Sequence, residues 1–238
     1  MSSNSRGIEF LEEARIPRMA LVLVCDLEGF SKFFNLPDVQ SYIPLYLNEV
    51  FKCLSITIQG GTAYWMEDKK DFTPLLQAAH VKFLGDGALY VWLPPEGEVS
   101  FDQNLLIKLM NRLWFMKSYF FKINERASEV VPIPGLPQKI RFGLAMGNIF
   151  ELQHANGRSN EYVGMCVNLA SRLQSYCPSL GIVASARLGI SAGLLEKNNY
   201  IKVVARNLKG FPREYVCVEK DEFMGMDRMT RNNLFEMA

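Results

Sequence analysis

The chain has 238 residues, of which 49% are hydrophobic and 21% charged, and its net charge is +1. This composition is typical of a soluble globular domain, and so small a net charge gives no field that would attract nucleic acid or an acidic membrane. No apolar run reaches the roughly 20 residues of a membrane-spanning helix, residues 1–15 lack the features of a signal peptide, and the five scattered cysteines include no CxxC pair. We therefore expect a cytosolic protein that binds neither nucleic acid nor membranes and has neither a zinc site nor a disulfide framework.

The first elements of the chain are predicted to be a buried strand and a long amphipathic helix. Residues 18–25 (RMALVLVC) form a short apolar run, which is typical of a strand buried on both faces. Gly29 permits a tight turn after it. Apolar residues then recur every three or four positions over 39–58, which predicts a helix. This helix either begins at Pro44 or kinks there.

A hairpin and a second helix follow. The apolar runs at 80–84 and 88–93 flank Gly85-Asp86-Gly87, and Asp-Gly between apolar runs is a strong hairpin signal. The polar stretch at 64–76, just before the hairpin, predicts an insertion loop. A single apolar stripe over 102–126 predicts a second long helix.

The remaining elements complete a mixed fold. Residues 139–146 are predicted to form a strand, and residues 162–176 a strand end that continues into a helix. Short strands are predicted at 181–184, 200–205 and 215–218. The tail after residue 221 either docks as a helix or is frayed. This order of strands and helices predicts an α+β sandwich in which helices pack on one sheet.

Two aspartates stand where short rigid backbone would hold them. Asp26 follows the first buried strand, and Asp86 lies in the hairpin turn. If that strand lies beside the hairpin, the two carboxylates converge, and a cation would offset their repulsion. Hard oxygen ligands favour Mg²⁺ or Mn²⁺. Taken singly, however, Asp26 is better explained as a helix cap and Asp86 as an ordinary turn residue, and only the sequence around them favours a metal site.

Five segments together resemble the catalytic domain of the class III adenylate/guanylate cyclases. The similar segments are VCDLEGFS (24–31), KFLGDGAL (82–89), IRFGLAMG (140–147), EYVGMCVNLASRL (161–173) and NLKGFPREYVCV (207–218). They occur in the order that the family has them. The resemblance implies a ferredoxin-like βαββαβ core sandwich with an additional small αβ segment. It also implies a catalytic domain over 18–219, between an N-terminal extension (1–17) and a C-terminal tail (220–238).

The resemblance also implies site residues and partners. Two Mn²⁺ or Mg²⁺ ions per active site would be bound by Asp26, Asp86 and the Leu27 carbonyl. Phosphates of a nucleoside triphosphate would be bound by the backbone amides of Gly29, Phe30 and Ser31 and by Arg141. The chain would form a head-to-tail homodimer with composite sites at the interface. Asn168 of one subunit would orient the ribose, and Arg172 would stabilise charge on the reacting phosphate of the other subunit's substrate.

The resemblance assigns base recognition to Lys82 and Glu161. Lys82 stands where adenylate cyclases have Lys and guanylate cyclases Glu, which argues against GTP. A Lys donor and a Glu acceptor suit adenine and cytosine, which both present an amine beside an acceptor nitrogen. Uracil would need Lys82 on a carbonyl and Glu161 on the ring N–H. Base choice therefore stays open among UTP, CTP and ATP at this point.

Several features are similar to the stand-alone bacterial pyrimidine cyclases of antiphage (Pycsar) signalling. Glu161 is one methylene longer than the family's usual Asp, and Tyr162 follows it, so both residues would shrink the base site. The length leaves room for little besides a catalytic domain, and the stretch at 64–76 is an added insertion. We therefore expect a cyclase that makes cyclic UMP or cyclic CMP as a second messenger in antiviral defence.

Two alternatives and one departure accompany this expectation. The first alternative is an adenylate cyclase. The second is an inactive cyclase-homology module for binding or dimerisation, which would be expected to have lost a metal-site or transition-state residue; none is lost here. The departure concerns Phe211, which stands after Lys209-Gly210 where the family often has a second triphosphate-binding Lys. Lys209 or Arg213 would have to make that contact instead.

Overall fold

The computed structural model describes residues 10–11, 16–61, 75, 77–155, 160–176 and 178–238. Its strands are β1 (Arg18–Glu28), β2 (His80–Phe83), β3 (Gly87–Trp92), β4 (Lys139–Gln153), β5 (Asn160–Val163), β6 (Ile182–Ser185), β7 (Tyr200–Leu208), β8 (Phe211–Glu219) and β9 (Phe235–Met237). Its α-helices are α1 (Phe30–Phe34), α2 (Ile43–Gln59), α3 (Gln103–Ser118), α4 (Phe120–Ser128), α5 (Met165–Tyr176), α6 (Ala192–Lys197), α7 (Lys220–Gly225) and α8 (Arg228–Leu234). No helix in these ranges is long and apolar enough to cross a membrane. Apart from residue 75, the insertion loop predicted at 64–76 lies outside the described residues.

The strands form one mixed sheet in the order β2-β3-β1-β4-β6-β8-β7-β9, and β5 pairs with the end of β4. The β2–β3, β3–β1 and β1–β4 pairs are antiparallel. Helices connect β1 to β2 and β3 to β4. This order and connectivity give the predicted ferredoxin-like βαββαβ core. The parallel pairing of β6 with β4 attaches the smaller αβ segment.

Different helices cover the two faces of the sheet. On one face, Leu21 and Leu23 of β1 lie in a core with α2 and α3. On the other face, Ala20 and Val22 lie in a second core with α5. Because side chains of a strand alternate between faces, the even-numbered residues of β1 lie on this second side, which we call the α5 face.

Two glycines of β4 determine how closely α5 approaches the sheet. A Cβ atom on Gly143 would lie 2.0 Å from the carbonyl oxygen of Ala170 in α5, and one on Gly147 would lie 3.3 Å from the Cβ of Cys166. Real Cβ atoms do not come as close as 2.0 Å, so α5 occupies its position only because residue 143 is glycine. The helix that carries Asn168 and Arg172 is thereby fixed to β4.

The prediction of one continuous helix over 102–126 is wrong. The structure has two helices, α3 and α4, separated at Tyr119, whose backbone leaves the helical region. The hydroxyl of Ser118 donates to the Trp114 carbonyl at 2.9 Å, a contact that bends helices. The change of direction allows both Met116 and Phe120 to be buried.

The strands predicted at 18–25 and 139–146 are longer than expected. β1 continues through Asp26 to Glu28, and β4 continues to Gln153. The additional length of β4 pairs with β5 as an antiparallel hairpin. Asp26 therefore lies within a strand, where both of its neighbouring strands fix its position.

The C-terminal tail docks on the sheet, which resolves the choice between a docked and a frayed segment. After α7 and α8, β9 adds to the edge of the sheet by pairing with β7. Phe223 and Phe235 are buried, and the Phe235 ring lies 5.4 Å from that of Tyr176 in an edge contact. The tail is thus packed into the second core.

Candidate active site

Asp26 lies on the α5 face near the end of β1. It follows Ala20, Val22 and Val24 in the alternation of that strand, so its side chain emerges where the buried apolar series ends. In the strand pairing, Asp26 lies opposite Gly87 on β3 and opposite Arg141 on β4. The Asp26 side chain is 23% exposed, which leaves one side open to solvent or to a ligand.

Asp86 is held against the end of β1 by the β2–β3 turn. The Leu27 amide donates to the Asp86 carbonyl at 3.1 Å. A Cβ atom on Gly87 would lie 2.0 Å from the Cys25 carbonyl oxygen, so the turn approaches β1 this closely only with glycine at 87. Gly85 has a positive φ of 94°, which favours glycine there too. The Gly-Asp-Gly sequence thus holds Asp86 beside β1.

The negative charge of Asp26 affects the ionisation of the Asp86 carboxyl group. Its pKa is raised above the ordinary value for aspartate, mainly because burial disfavours the charged form and secondly because Asp26 is negative. The positive charge of Arg141 acts in the opposite direction. A bound cation would stabilise the charged form of a carboxyl group that burial and a neighbouring negative charge disfavour.

Arg141 neutralises Asp26 in the chain as it stands. Its guanidinium Nη2 donates to Asp26 Oδ2, and Nη1 lies 3.9 Å from Oε2 of Glu28. The Nε of Arg141 and the Oε2 of Glu28 are buried without a hydrogen-bond partner among the described residues. A donor of Arg141 and an acceptor of Glu28 are therefore both buried unpaired beside Asp26.

The residues present fit divalent cations as a partial ligand set. Asp26 and Asp86 offer hard carboxylate oxygens, which Mg²⁺ and Mn²⁺ prefer. Within the described ranges, no group of three or more His, Cys, Asp or Glu side chains is placed to hold a metal ion. A site of two carboxylates suits ions that take their remaining ligands from water and substrate phosphates. The Leu27 carbonyl, the third predicted ligand, belongs to the residue between Asp26 and Glu28.

The predicted phosphate loop starts α1 directly after β1. Gly29 has a φ of 86° and forms the N-cap of this short helix. The side chain of Phe30 is buried, whereas Ser31 is exposed. Phe30 and Ser31 line a groove of about 510 Å³ together with Asp86, so the structure brings the start of α1 to the β2–β3 turn.

Lys82 and Glu161 meet across the α5 face. Lys82 is on β2, opposite Leu89, and Glu161 is on β5, opposite Leu152. The Lys82 Nζ donates to both carboxylate oxygens of Glu161, at 2.7 and 2.8 Å. Both residues thus lie together, as a base-reading pair would require.

Asn168 and Arg172 lie on the exposed side of α5, one helical turn apart. The opposite side of the helix is buried against the sheet. Asn168 lines a separate groove of about 430 Å³ beside Phe150 and Val163. Within the described part of the chain, no hydrogen bond or ion pair joins either side chain to Asp26 or Asp86. A single chain therefore brings the two carboxylates together but leaves Asn168 and Arg172 apart from them.

A core residue occupies the position where the family resemblance leads us to expect a second triphosphate-binding lysine. Phe211 is buried at the start of β8. Arg213 extends to Glu236 of β9, with 3.3 Å between Nη2 and the carboxylate. Lys209 is exposed in the β7–β8 turn. Of the two proposed substitutes, Lys209 is the one that the C-terminal strand does not engage.

Two polar residues near the predicted site were missed by the sequence reasoning. Glu28 lies two residues after Asp26 and therefore on the same face of β1, within reach of Arg141. His80 lies two residues before Lys82, and its ring contacts Tyr162 at 5.0 Å between centroids. The two-residue period of a strand was the available signal for both.

Comparisons with known proteins show the fold. No family model matches the sequence, and no curated protein matches it. The structure is similar to the adenylyl cyclase CyaB from P. aeruginosa, with a TM-score of 0.61 and 19% identity, covering 85% of this chain and 94% of that one. It is also similar to the guanylyl cyclase Cya2, with a TM-score of 0.56 and 20% identity, covering 87% and 93% of the two chains.

A third similar structure is a bacterial light-regulated adenylyl cyclase. Its TM-score is 0.58 at 16% identity, and the match covers 93% of this chain and 58% of that longer one. Together these matches show that the chain has the fold of the class III nucleotidyl cyclases, with a nine-stranded mixed sheet in the described residues.

Proposed function

We propose that this chain is a nucleotidyl cyclase that converts a nucleoside triphosphate into its 3′,5′-cyclic monophosphate and pyrophosphate. The observation that carries this proposal is the convergence of Asp26 and Asp86, within a class III cyclase fold, at the end of β1 beside an arginine. Charge interaction between the two carboxyls supports a cation there. Mn²⁺ or Mg²⁺, two per active site, are the proposed cofactors.

The residues of the chain would act mainly by positioning and by electrostatics. When bound, divalent cations would neutralise phosphate charge and lower the pKa of the 3′-hydroxyl. Asp26, Asp86 and the Leu27 carbonyl would hold them. Arg141, whose guanidinium lies against Asp26, would bind the triphosphate with the amides of Gly29, Phe30 and Ser31.

The reaction forms one P–O bond and breaks another. The 3′-oxygen attacks the α-phosphorus in line, the hydroxyl proton is lost to solvent, and pyrophosphate leaves. Arg172 would stabilise the charge that develops on the α-phosphate, and Asn168 would hold the ribose in the reactive orientation.

Asn168 and Arg172 are proposed to act on the substrate of a partner subunit. Among the described residues, neither side chain forms a hydrogen bond or ion pair with the carboxylates, and both lie exposed on α5. A head-to-tail homodimer would bring the α5 of one subunit to the Asp26 and Asp86 of the other. Each dimer would then have two equivalent composite sites.

The finer proposal is a pyrimidine cyclase that makes cyclic UMP or cyclic CMP as a second messenger in antiviral defence. It is supported by the longer carboxylate of Glu161 and by Tyr162, both of which project from β5 towards β2. Lys82 and Glu161 would separate from each other when a base enters, and each would take one polar atom of its edge.

An adenylate cyclase is the second candidate. The observation that favours it is the pairing of a Lys donor with a Glu acceptor, since adenine presents an amine beside an acceptor nitrogen just as cytosine does. Pocket length, and not hydrogen-bonding pattern, would separate these two bases.

The test of the proposed function is product formation from purified protein. We expect incubation with UTP, CTP, ATP or GTP plus MnCl₂ to yield a cyclic nucleotide and pyrophosphate, with the pyrimidine substrates preferred. Cyclic AMP as the main product would replace the finer proposal by the second candidate. Absence of any cyclic product from all four substrates would contradict the enzyme and leave a cyclase-homology module.

A further inference from the structure

The inference concerns Arg187, and it rests on the proposed function because it specifies how that cyclase binds phosphate. Arg187 follows β6, in a single helical turn over Ala186–Leu188. It lines the groove of about 430 Å³ that also contains Asn168. Of the described residues that line this groove, Arg187 alone carries a charge. An anionic ligand in the groove would therefore pair with this one side chain.

A buried carboxylate holds Arg187 in place. Glu214 alternates with Val216 and Val218 along β8, so its side chain lies on the α5 face. It accepts hydrogen bonds from Nε and Nη2 of Arg187, both at 2.8 Å, and from the Ser185 hydroxyl at 2.9 Å. The Glu214 side chain is 6% exposed and that of Arg187 is 54% exposed. The charged pair thus connects the interior to the surface of the groove.

Packing alone does not require this ion pair. A buried carboxylate loses its hydration, and replacing a buried ion pair by apolar residues is often neutral or stabilising. The pair does fix the orientation of the guanidinium, because both oxygens of Glu214 bind it. A free arginine would lose side-chain entropy on binding a ligand. The arrangement therefore suits an arginine that is preorganised to bind one.

The pairing leaves one edge of the Arg187 guanidinium available. Glu214 occupies the edge formed by Nε and Nη2. Among the described residues, Nη1 has no hydrogen-bond partner. The edge formed by Nη1 and the second hydrogen of Nη2 can bind two oxygens of one phosphate group. Arg187 can thus hold Glu214 and a phosphate at the same time.

We propose that Arg187 binds the β- and γ-phosphates of the nucleotide held at Asp26 and Asp86 of the partner subunit. Asn168, which is proposed to reach that nucleotide, lines the same groove of the same chain. Arg172 is proposed to act on the α-phosphate, which leaves the charge of the departing pyrophosphate for a further cation. Arg187 supplies that cation.

This role also accounts for the phenylalanine at position 211. Phe211 lines the same groove as Arg187, at the position where the resemblance leads us to expect a triphosphate-binding lysine. Lys209 and Arg213, the substitutes suggested by the sequence, are not among the described residues that line it. The positive charge of the groove therefore comes from the turn after β6 and not from β8.

Inorganic pyrophosphate with Mn²⁺ is the probe, because it carries the proposed phosphates and no base. Replacing Arg187 alone would leave Glu214 buried and unpaired, so the test variant combines Arg187→Gln with Glu214→Gln. We expect titration calorimetry to show roughly ten-fold or more weaker binding of pyrophosphate than in wild type, the effect of losing charge-assisted hydrogen bonds. Binding of UMP with Mn²⁺ should stay unchanged, because UMP has only the α-phosphate.

Two controls separate phosphate binding from a structural role of the pair. Glu214→Gln alone keeps the arginine and should bind pyrophosphate more tightly than the double variant; an equal loss in both would overturn the inference. Arg126→Gln with Glu49→Gln removes another pair, with 3.4 Å between Nε and Oε1, and should leave pyrophosphate binding unchanged. Equal affinity of wild type and the Arg187 and Glu214 double variant would overturn the inference. So would a wild type that binds no pyrophosphate with Mn²⁺.

Mixed dimers test whether Arg187 acts on the nucleotide of the partner subunit. One chain carries Arg172→Ala with Arg187→Gln and Glu214→Gln, and the other carries Asp26→Asn, so each homodimer should be inactive. In the mixed dimer, the second chain supplies intact Arg172 and Arg187 to the carboxylates of the first. We expect kcat/KM per intact site to equal that of a mixture whose first chain carries Arg172→Ala alone. A roughly ten-fold lower value would place Arg187 on the nucleotide of its own chain and overturn the inference.

The pyrophosphate titrations keep this inference distinct from the proposed function. Absence of cyclic product from wild type would contradict the cyclase. Weaker pyrophosphate binding by the double variant would then still support Arg187 as a phosphate-binding residue, and unchanged binding would overturn it.

Discussion

At the scale of single residues, Arg141 lies where both the proposed metal ion and the proposed triphosphate would bind. Its guanidinium pairs with Asp26 and lies near Glu28. The same residue is proposed to bind the triphosphate. A cation at Asp26 and the arginine compete for one carboxylate, and a bound phosphate would draw the arginine away. Metal and nucleotide should therefore bind with positive coupling.

Arg141→Gln tests this competition. Without nucleotide, we expect the variant to bind Mn²⁺ about ten-fold more tightly, because a charge-assisted hydrogen bond no longer occupies Asp26. Its affinity for nucleoside triphosphate should fall. Titration calorimetry measures both, with Lys202→Gln on β7 as the control that removes one positive charge elsewhere. Equal Mn²⁺ affinity in wild type and Arg141→Gln would show that the arginine does not compete.

In the absence of metal, the ionised side chain of Asp86 should lower the stability of the folded chain. Its pKa is raised in the folded state, so the ionised carboxyl lowers the free energy of unfolding at neutral pH. This loss of stability shrinks as the pH falls through the raised pKa, and it is absent below the ordinary value of 3.8. We expect Asp86→Asn to have a higher Tm than wild type at pH 7 in metal-free buffer, with the difference shrinking towards acid pH.

The control for this measurement is Glu96→Gln, which changes an exposed carboxylate in the loop after β3. It should leave the Tm and the stabilisation by Mn²⁺ unchanged, whereas Asp86→Asn should also lose most of the Mn²⁺-induced rise in Tm. A lower Tm for Asp86→Asn at pH 7 without metal would contradict the charge interaction described here.

At the scale of elements, the contact of α5 with β4 positions the proposed transition-state residues. Gly143→Ala would place a methyl group 2.0 Å from the Ala170 carbonyl, so we expect a loss of about 3 kcal/mol in the free energy of unfolding. Gly193→Ala in α6 meets nothing within 4 Å and should stabilise slightly. Urea denaturation compares the two, and a Gly143→Ala variant as stable as wild type would contradict the close packing.

Local patterns predicted the elements that position Asp26 and Asp86. The apolar run of β1 and the Asp-Gly turn were both visible in the sequence, and the strand pairing follows from the ferredoxin-like order. The break at Tyr119 was not visible, because the apolar stripe continues across it while the Ser118 hydroxyl bends the chain. The contact of Glu161 with Lys82 depends on how β4 and β5 fold across the sheet, which no local pattern specifies.

The edge strand β9 was also beyond local reasoning. Phe235 and its neighbours form only a three-residue strand, too short for an alternating pattern to be recognised. Its stability comes from tertiary contacts, with Tyr176 and Phe223 against the Phe235 ring. The sequence therefore left open whether the tail docks, because its docking depends on the assembled sheet.

At the scale of the whole molecule, the distribution of the proposed site residues is the reason for proposing a dimer. Asp26 and Asp86 lie together at the end of β1, while Asn168 and Arg172 lie exposed on α5 and apart from them. One sequence carries both sets. The proposed homodimer, in which each subunit supplies one set to each site, would account for this arrangement.

Mixing two inactive variants tests this central claim most directly. Asp26→Asn removes the metal half and Arg172→Ala the transition-state half, so each homodimer should be inactive. With random exchange of equal amounts, half of the dimers are mixed and each mixed dimer has one intact site, which predicts about a quarter of wild-type cyclic nucleotide formation. Asp26→Asn mixed with Asp86→Asn, where both changes affect the same half, should stay inactive. No recovery in the first mixture, from folded chains that exchange subunits, would contradict the composite site.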